Sequence, residues 1–351
     1  MNNRTFANGI NEALNIALEI DRNVICYGLG VTDPKAIFGT TSGLELKHGS
    51  NRVFDMPTSE NAMTGVAIGA ALGGVRSIMT HQRTDFFLLA MDQLINGAAK
   101  YYYMFGGQTP IPITIRLIIG RGWGQGPTHS QNLHAWFAHI PGLKVVMPSS
   151  PADAKGLLLS SIFDDNPVIF LEHRWLHNSI GDLPEGDYRI PLGSAAIVKL
   201  GSDITIVSSS YMVVEAIHAA NYLKKIGVSC EIIDLRTIKP IDWDTITTSV
   251  KKTGRLLSID SGFSTGSISG EIISRVIESN WNDLRCAPIK LAMPDVPEPT
   301  SPALTKGFYV RARDIAQKII EMCNFELEIP SSDLIEPEPH DVPGRWFTGP
   351  F

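Results

Sequence analysis

No stretch of the 351 residues is apolar for long enough to cross a bilayer, and no apolar signal core follows Met1. The cytoplasm is the expected location. Cysteine is scarce, at four residues (Cys26, Cys230, Cys286, Cys323), and no two stand as a CxxC pair. That argues against a disulfide framework and against a zinc site of the usual spacing. Basic charge is not in excess: 30 Lys and Arg face 36 Asp and Glu, for a net −6. A general nucleic-acid binder carries the opposite balance. There is no HExxH helix, no P-loop and no GxGxxG opening a helix after a strand. No internal repeat occurs. What is present, 44% hydrophobic and 19% charged residues, is the composition of a soluble globular protein long enough for two domains.

Strand and helix patterns alternate along the chain. Short apolar runs at 24–28, 53–54, 76–79, 112–116, 144–147 and 167–172 predict buried strands. Helical spacing predicts helices over 4–20, 62–75, 85–103 and 152–163. This order indicates a parallel sheet covered on both faces. A polar linker rich in Gly and Pro follows at 178–196. The alternation then restarts, with strands at 203–208, 228–234, 254–260 and 289–292 and helices at 212–226, 243–252, 266–279 and 310–323. The fold class is α/β, two α/β domains with mainly parallel sheets, at 1–190 and 191–325. A Pro-rich acidic tail, 326–351, has too little apolar area for a core. Its closing aromatics Trp346, Phe347 and Phe351 are expected on a neighbouring surface.

The organising stretch is 55–65, Asp-Met-Pro-Thr-Ser-Glu-Asn-Ala-Met-Thr-Gly. Pro57 ends a strand, and Thr58 or Ser59 is placed to cap a helix. That helix is apolar nearly all round and dense in Ala and Gly, so it is expected to be buried and to let another backbone approach closely. Glu60 opens it. A carboxylate there either offsets the helix dipole or sits in a dry site suited to proton exchange. A second candidate region is the glycine-dense loop at 120–126, followed by Thr128-His-Ser-Gln131. His129 is either a general acid or base or a loop histidine bonded to a carbonyl. Phe86 and Phe87 read as core on composition alone.

Several separate motifs then fall in one order: the Glu60 segment, Ala90-Met-Asp-Gln-Leu-Ile-Asn96, Lys100-Tyr-Tyr-Tyr-Met104, Thr128-His-Ser-Gln131, Pro141-Gly-Leu-Lys-Val-Val146, Asp165-Asn-Pro-Val168, Asp234-Leu-Arg-Thr-Ile-Lys-Pro240 and Asp295-Val-Pro297. Over about residues 4–323 this order resembles the beta subunit of the thiamine-diphosphate-dependent 2-oxo acid dehydrogenase decarboxylases of the pyruvate, branched-chain and acetoin types. The resemblance implies transketolase pyrimidine-binding and C-terminal domains. It implies that Glu60 hydrogen-bonds a ring nitrogen of the cofactor's aminopyrimidine, that Phe86 stacks on that ring, that Gln82 lies in the cofactor site, and that His129 serves proton or acyl transfer. It implies a structural potassium ion near Ile113, Ser161, Asp164 and Asn166. No GDG segment occurs, so Mg2+ and the diphosphate are expected on an alpha subunit, in an α2β2 heterotetramer that also docks a lipoyl acyltransferase core.

The sequence departs from the resembled pattern at three places. Leu29 and Gly30 replace an acidic pair, His81-Gln82-Arg83 replaces a Phe-Met-Thr-like run, and Leu117-Ile-Ile-Gly120 replaces Gly-Pro-Asn-Gly. A more basic wall suits an extra carboxylate or phosphate. The expectation is a 2-oxo acid or acceptor other than pyruvate and lipoyl. The leading function is decarboxylation of a 2-oxo acid with transfer of the acyl or aldehyde fragment. A split transketolase-like carboligase and a non-catalytic assembly partner are the alternatives.

Overall fold

The structure is a computed structural model that describes residues 3–120, 124–334 and 342. The tail aromatics Trp346, Phe347 and Phe351 lie outside the described residues. The chain forms two units, one from residues up to 120 and from 128 to 192, the other from 124–127 and from 193 onward.

The first unit runs β1 (Asn3–Thr5), α1 (Phe6–Ile20), β2 (Val24–Gly28), α2 (Leu44–His48), β3 (Val53–Asp55), α3 (Glu60–Leu72) and β4 (Arg76–His81). It continues with α4 (Thr84–Phe87), α5 (Ala99–Met104), β5 (Ile113–Ile119), α6 (His134–His139), β6 (Lys144–Val146), α7 (Pro151–Ile162), β7 (Val168–His173) and β8 (Ile180–Asp182). Its strands β6-β7-β5-β4-β2-β3 lie side by side in that order, and every pairing is parallel. All seven residues of β5 are buried, as a strand covered on both faces requires. Because the strands are parallel, their carboxyl ends share one edge, where open α/β sheets bind ligands.

Local chemistry fixes the helix starts. Thr5 Oγ1 accepts from the Asn8 amide (3.1 Å) and Asn8 Oδ1 accepts from the Thr5 amide (3.1 Å), closing a capping box on α1. Ser150 Oγ accepts from the Asp153 amide (3.1 Å) and Pro151 fills the first helical position of α7.

Four expectations are corrected. The linker at 178–196 is not free of structure: β8 pairs antiparallel with β1, tying the start of the chain to the end of the first unit. The predicted helix at 85–103 is present as continuous helical backbone from Thr84 to Met104 but is not uniformly α, since a 3-10 turn (Leu88–Ala90) and a π-helical turn (Gln93–Ala98) lie between α4 and α5. A β-carbon at Gly97 would stand 2.8 Å from Ile68 Cδ1, so the widened turn accommodates α3 at close range. Ser59 stands at the N-cap of α3 without capping it through its side chain. And α3 is buried on one side only: Thr64, Ala67, Ile68 and Ala71 face the core, while Ala62, Val66, Gly69 and Leu72 are exposed on this chain.

The second unit carries β9 (Ala196–Lys199), β10 (Ile204–Ser208), α8 (Tyr211–Leu223), β11 (Cys230–Asp234), β12 (Thr237–Lys239) and α9 (Trp243–Thr253). After these come β13 (Leu256–Phe263), α10 (Ile268–Asn280), β14 (Ile289–Met293), α11 (Pro302–Thr305) and α12 (Ala312–Met322). Its sheet runs β14-β13-β10-β11-β9, with only β9 antiparallel to its neighbour. Buried Glu215 accepts from Tyr211 Oη (2.9 Å), Arg311 Nη1 (2.9 Å) and the Ala312 amide (2.8 Å). One carboxylate thereby pins α12 to α8.

Candidate functional site

Glu60 is the first residue of α3 and only 6% exposed. Among the described residues no donor reaches its carboxylate. Thr64 turns its hydroxyl back to the Glu60 carbonyl (2.8 Å), so the nearest hydroxyl along the helix is already committed. The residue is buried, yet its carboxylate oxygens are not sealed from solvent, so the group stands open to a molecule from outside the chain.

The segment after β4 gathers the other candidates. Phe87 is fully buried, whereas its neighbour Phe86 is half-buried and meets the exposed His129 ring edge-on, at 5.3 Å between centroids and 88°. The adjacent phenylalanines thus divide between core and site. Thr128 Oγ1 lies 3.1 Å from His129 Nδ1. Gln131 Nε2 donates to Asp85 Oδ1 at 2.6 Å, joining this loop to the start of α4. Burial raises the pKa of Asp85, against the opposing pull of Gln131, His129 and Arg83. Of the glycine-dense loop, residues 121–123 lie outside the described set. Gly124 and Gly126 have positive φ and run so close to Thr300 that a β-carbon on either would stand within 3 Å of it.

Behind this edge lies a buried ion pair that periodicity alone did not reveal. Arg116 Nε and Nη2 grip the two oxygens of Glu172 at 2.6 and 3.0 Å, and both side chains are wholly buried. Arg116 also donates to Thr80 Oγ1 (3.3 Å) and Thr40 Oγ1 (3.0 Å), and His177 Nε2 meets Glu172 Oε2 at 3.2 Å. Burial works to raise the Glu172 pKa, but the Arg116 charge and the hydrogen bonds from His177 and Arg116 outweigh it and hold it below the usual range. The readable signal was an arginine in the middle of the apolar strand Ile-Thr-Ile-Arg-Leu-Ile-Ile and a glutamate closing Val-Ile-Phe-Leu-Glu. Fully buried charges of opposite sign on two core strands must pair.

The three places where the sequence departs from the resembled pattern sit at neighbouring strand ends. Gly30 has φ +77, and a β-carbon there would stand 2.8 Å from Gln82 Nε2. Gly120, at φ +90, leaves room for His173, whose ring would lie 2.6 Å from a β-carbon. His81 is 1% exposed, its ring meets Phe87 edge-on at 5.0 Å, and neither ring nitrogen has a hydrogen-bond partner among the described residues.

Burial pushes the His81 pKa down from 6.5 to about 4. The folded chain therefore keeps this ring neutral where the unfolded chain takes up a proton. That contribution to stability is complete above pH 6.5 and is lost as pH falls toward about 4. His81→Phe is expected to flatten this part of the stability profile in denaturant melts across that window. An unaltered slope would count against the assignment.

At the turn expected to hold potassium, Arg76 donates to the carbonyls of Asp164 (2.9 Å) and Ile162 (3.4 Å) and to Asp165 Oδ1 (2.7 Å). Lys144 pairs with Asp164, whose Oδ1 accepts from the Asn166 amide (2.9 Å). Ser161 Oγ donates to the Leu157 carbonyl (2.7 Å), and Ile113 opens β5 opposite Ser77. No group of three or more His, Cys, Asp or Glu is placed to hold a metal among the described residues. Residues 262–266, Gly-Phe-Ser-Thr-Gly, have the letters of a nucleophile elbow. Among the described residues no histidine bonds the Ser264 hydroxyl, and nothing there prepares a nucleophile.

Residues 2–178 match the family model of the transketolase pyrimidine binding domain, and residues 193–315 that of the transketolase C-terminal domain. The chain is 42% identical over 317 residues to the acetoin:2,6-dichlorophenolindophenol oxidoreductase subunit beta of Cupriavidus necator, covering 88% of this chain and 94% of that protein. It is 38% identical over 325 residues to the mitochondrial pyruvate dehydrogenase E1 component subunit beta of Homo sapiens, covering 91% and 90%. A solved split gene transketolase, an inactive beta4 tetramer, superposes with a TM-score of 0.72 at 20% identity, over 92% of this chain and 99% of that one. That last likeness is one of fold alone.

Proposed function

We propose, since this chain belongs to the family of transketolase-fold beta subunits that includes those of pyruvate dehydrogenase and acetoin oxidoreductase, that it is the beta subunit of a thiamine-diphosphate-dependent 2-oxo acid decarboxylase. The observation that carries the reading is Glu60, a buried carboxyl at a helix start that no donor of its own chain satisfies among the described residues. That suits a partner with a basic ring nitrogen. Half-buried Phe86 suits a ring pair, and Gln82 beside Gly30 offers an amide at the same edge.

When bound, thiamine diphosphate supplies the carbon nucleophile and the electron sink for decarboxylation. This chain's residues position and protonate. Glu60 holds a proton in a hydrogen bond to the pyrimidine ring nitrogen. Phe86 fixes the plane of that ring. His129, exposed and braced edge-on by Phe86, gives or takes a proton at the substrate oxygen. An alpha subunit brings Mg2+ and the diphosphate half, in an α2β2 heterotetramer that passes its product to an acceptor such as a lipoyl acyltransferase core. A structural potassium ion near Ile113, Ser161, Asp164 and Asn166 would share that turn with Arg76 and Lys144, and the decarboxylase reading does not depend on it. The four cysteines are free, which fits a reducing compartment such as the cytoplasm, and among the described residues no helix is long and apolar enough to cross a membrane.

The decisive experiment pairs the chain with its alpha subunit, adds thiamine diphosphate and magnesium, and measures carbon dioxide release from a panel of 2-oxo acids. Release that requires both subunits supports the reading. Release from none defeats it.

The exposed face of α3 supports a partner subunit. Ala62, Val66, Gly69 and Leu72 form an exposed apolar strip, and Tyr103 is 88% exposed on α5. A single chain gains nothing by leaving such a strip wet. Val66→Glu is expected to abolish co-purification with the partner while leaving thermal unfolding of the lone chain unchanged. Assembly at wild-type yield would remove α3 from the interface.

A further inference from the structure

We propose that Asp85 is the positioning residue for His129: it ties the histidine's loop to α4 through Gln131, and its charge favours the ring when a proton arrives. The proton transfer rests on the decarboxylase reading above; the link between Asp85 and His129 rests on geometry.

Two consecutive residues in the first turn of α4 reach the same short stretch of loop. Phe86 meets the His129 ring edge-on, at 5.3 Å between centroids. Asp85 Oδ1 accepts from Gln131 Nε2 at 2.6 Å, and Gln131 lies two residues after His129. One residue therefore touches the ring, and its neighbour holds the segment that carries it. The other polar contact of the ring is a poorer restraint. Thr128 Oγ1 lies 3.1 Å from His129 Nδ1, but the two residues are adjacent and exposed, so that contact moves with the loop. A reacting group works best when held to within about 0.5 Å of its productive place. The bond from Gln131 to Asp85 supplies a tie to a helix.

The same carboxylate has a second role, through its charge. It is half-buried, and its Oδ2 accepts no hydrogen bond among the described residues. Burial raises the Asp85 pKa, and Gln131, its own amide, His129 and Arg83 pull the other way. The charge of His129 is thus felt at Asp85, and an interaction between two charges is mutual. The other titratable groups on the elements packed against α4 are His81, Arg116, His134 and His139. Burial brings His81 down to about 4, so that ring is neutral near pH 7. Arg116 is gripped by Glu172. His134 and His139 lie on α6, whose Phe137 meets Phe87 of α4. Asp85 itself exchanges no proton with a reactant. The proton passes between the substrate oxygen and His129, and the carboxylate lowers the cost of the positive ring.

The test uses the assembled alpha and beta subunits with thiamine diphosphate and magnesium, and it has two readouts. The first needs no turnover. It is the rate at which diethylpyrocarbonate acylates His129, followed by mass spectrometry of the peptide that carries it. The reagent attacks only a neutral ring, and an ordinary histidine is mostly protonated at pH 6 and neutral at pH 8. Asp85→Asn keeps an oxygen for Gln131 and removes the charge. It is expected to raise the rate about twofold at pH 6 and to leave it unaltered at pH 8. Gln131→Leu keeps the charge and cuts the tie, and is expected to raise the rate at both. The second readout is kcat for whichever 2-oxo acid the assembly turns over. Asp85→Asn is expected to lower it about tenfold with KM within about twofold. It should also remove the acid-side fall caused by protonation of Asp85, which begins above the range of an ordinary aspartate because burial raises its pKa. Added to His129→Ala, Asp85→Asn should cost nothing further, as expected of a residue that acts through the histidine. An unaltered acylation rate in both variants, an equal rise at the two pH values in Asp85→Asn, or losses that add in the double variant overturn the proposal. If no 2-oxo acid releases carbon dioxide yet both acylation patterns appear, the decarboxylase reading falls and the link from Asp85 to His129 stands.

Discussion

Replacing Glu60 by glutamine is expected to lower turnover of the assembled subunits about 10³-fold, within the range for losing a positioned proton-transfer group. The amide keeps the size of the carboxyl but cannot hold the shared proton in the same way. The fold should not change. Among the described residues the carboxylate bonds to nothing in its own chain, and only the backbone carbonyl of Glu60 is used by Thr64. Thermal unfolding and partner assembly should match the wild type, so the loss is readable as chemistry. Full activity in a well-assembled Glu60→Gln variant would remove this residue from the mechanism. A loss of assembly would instead make α3 purely structural. The same logic protects the test from the helix-dipole reading, since removing one N-terminal charge costs only about 0.3–1 kcal/mol of stability and no chemistry.

Glu172 should give the largest stability effect in the chain. Glu172→Leu leaves Arg116 buried, charged and without its carboxylate, and is expected to destabilise the first unit by about 3–5 kcal/mol. The double variant with Arg116→Met should recover most of that, because a buried pair replaced by apolar groups is often close to neutral. Denaturant melts of the wild type, both single variants and the double variant measure the coupling. If the single variant is as stable as the wild type, the pair does not hold the sheet. pH adds a signature. The Glu172 pKa is held below the ordinary carboxylate value near 4.5, so its contribution is complete above that value and is lost as pH falls through the folded pKa. Glu172→Leu should therefore weaken the acid-side fall in stability as well as lower the plateau. His177 acts in the same direction from a higher starting point, its unfolded value of 6.5 dropping to about 4 in the fold.

The two effects belong to different layers of one edge. Arg116 and Glu172 brace β5 against β7 and hold the loop at Thr40. At the same edge the rings of Phe86 and His129, the residues proposed for the reaction, meet edge-on, and the guanidiniums of Arg83 and Arg174 stand over Phe38. The strain at 36–38 and the close approaches at Gly30 and Gly120 concentrate at the same strand ends.

The chain's alternating pattern determined the α/β class, the parallel sheets and most element positions, because periodicity and chain-end chemistry act over a few residues. It also placed Glu60 at a helix start, while His129 stood out beside its glycine-dense loop and Phe86 was set apart from Phe87 only by the family resemblance. Tertiary structure alone decided partners distant in sequence. Arg116 meets Glu172 because β5 lies beside β7, and nothing in either segment encodes that neighbour. Phe38, whose segment carried no signal of its own, reaches both arginines through a left-handed turn that residue types other than glycine do not announce. The half-exposed state of α3 was equally hidden. An all-apolar helix reads as buried from its sequence, and only the packing of the chain shows which of its faces is left for another molecule to cover.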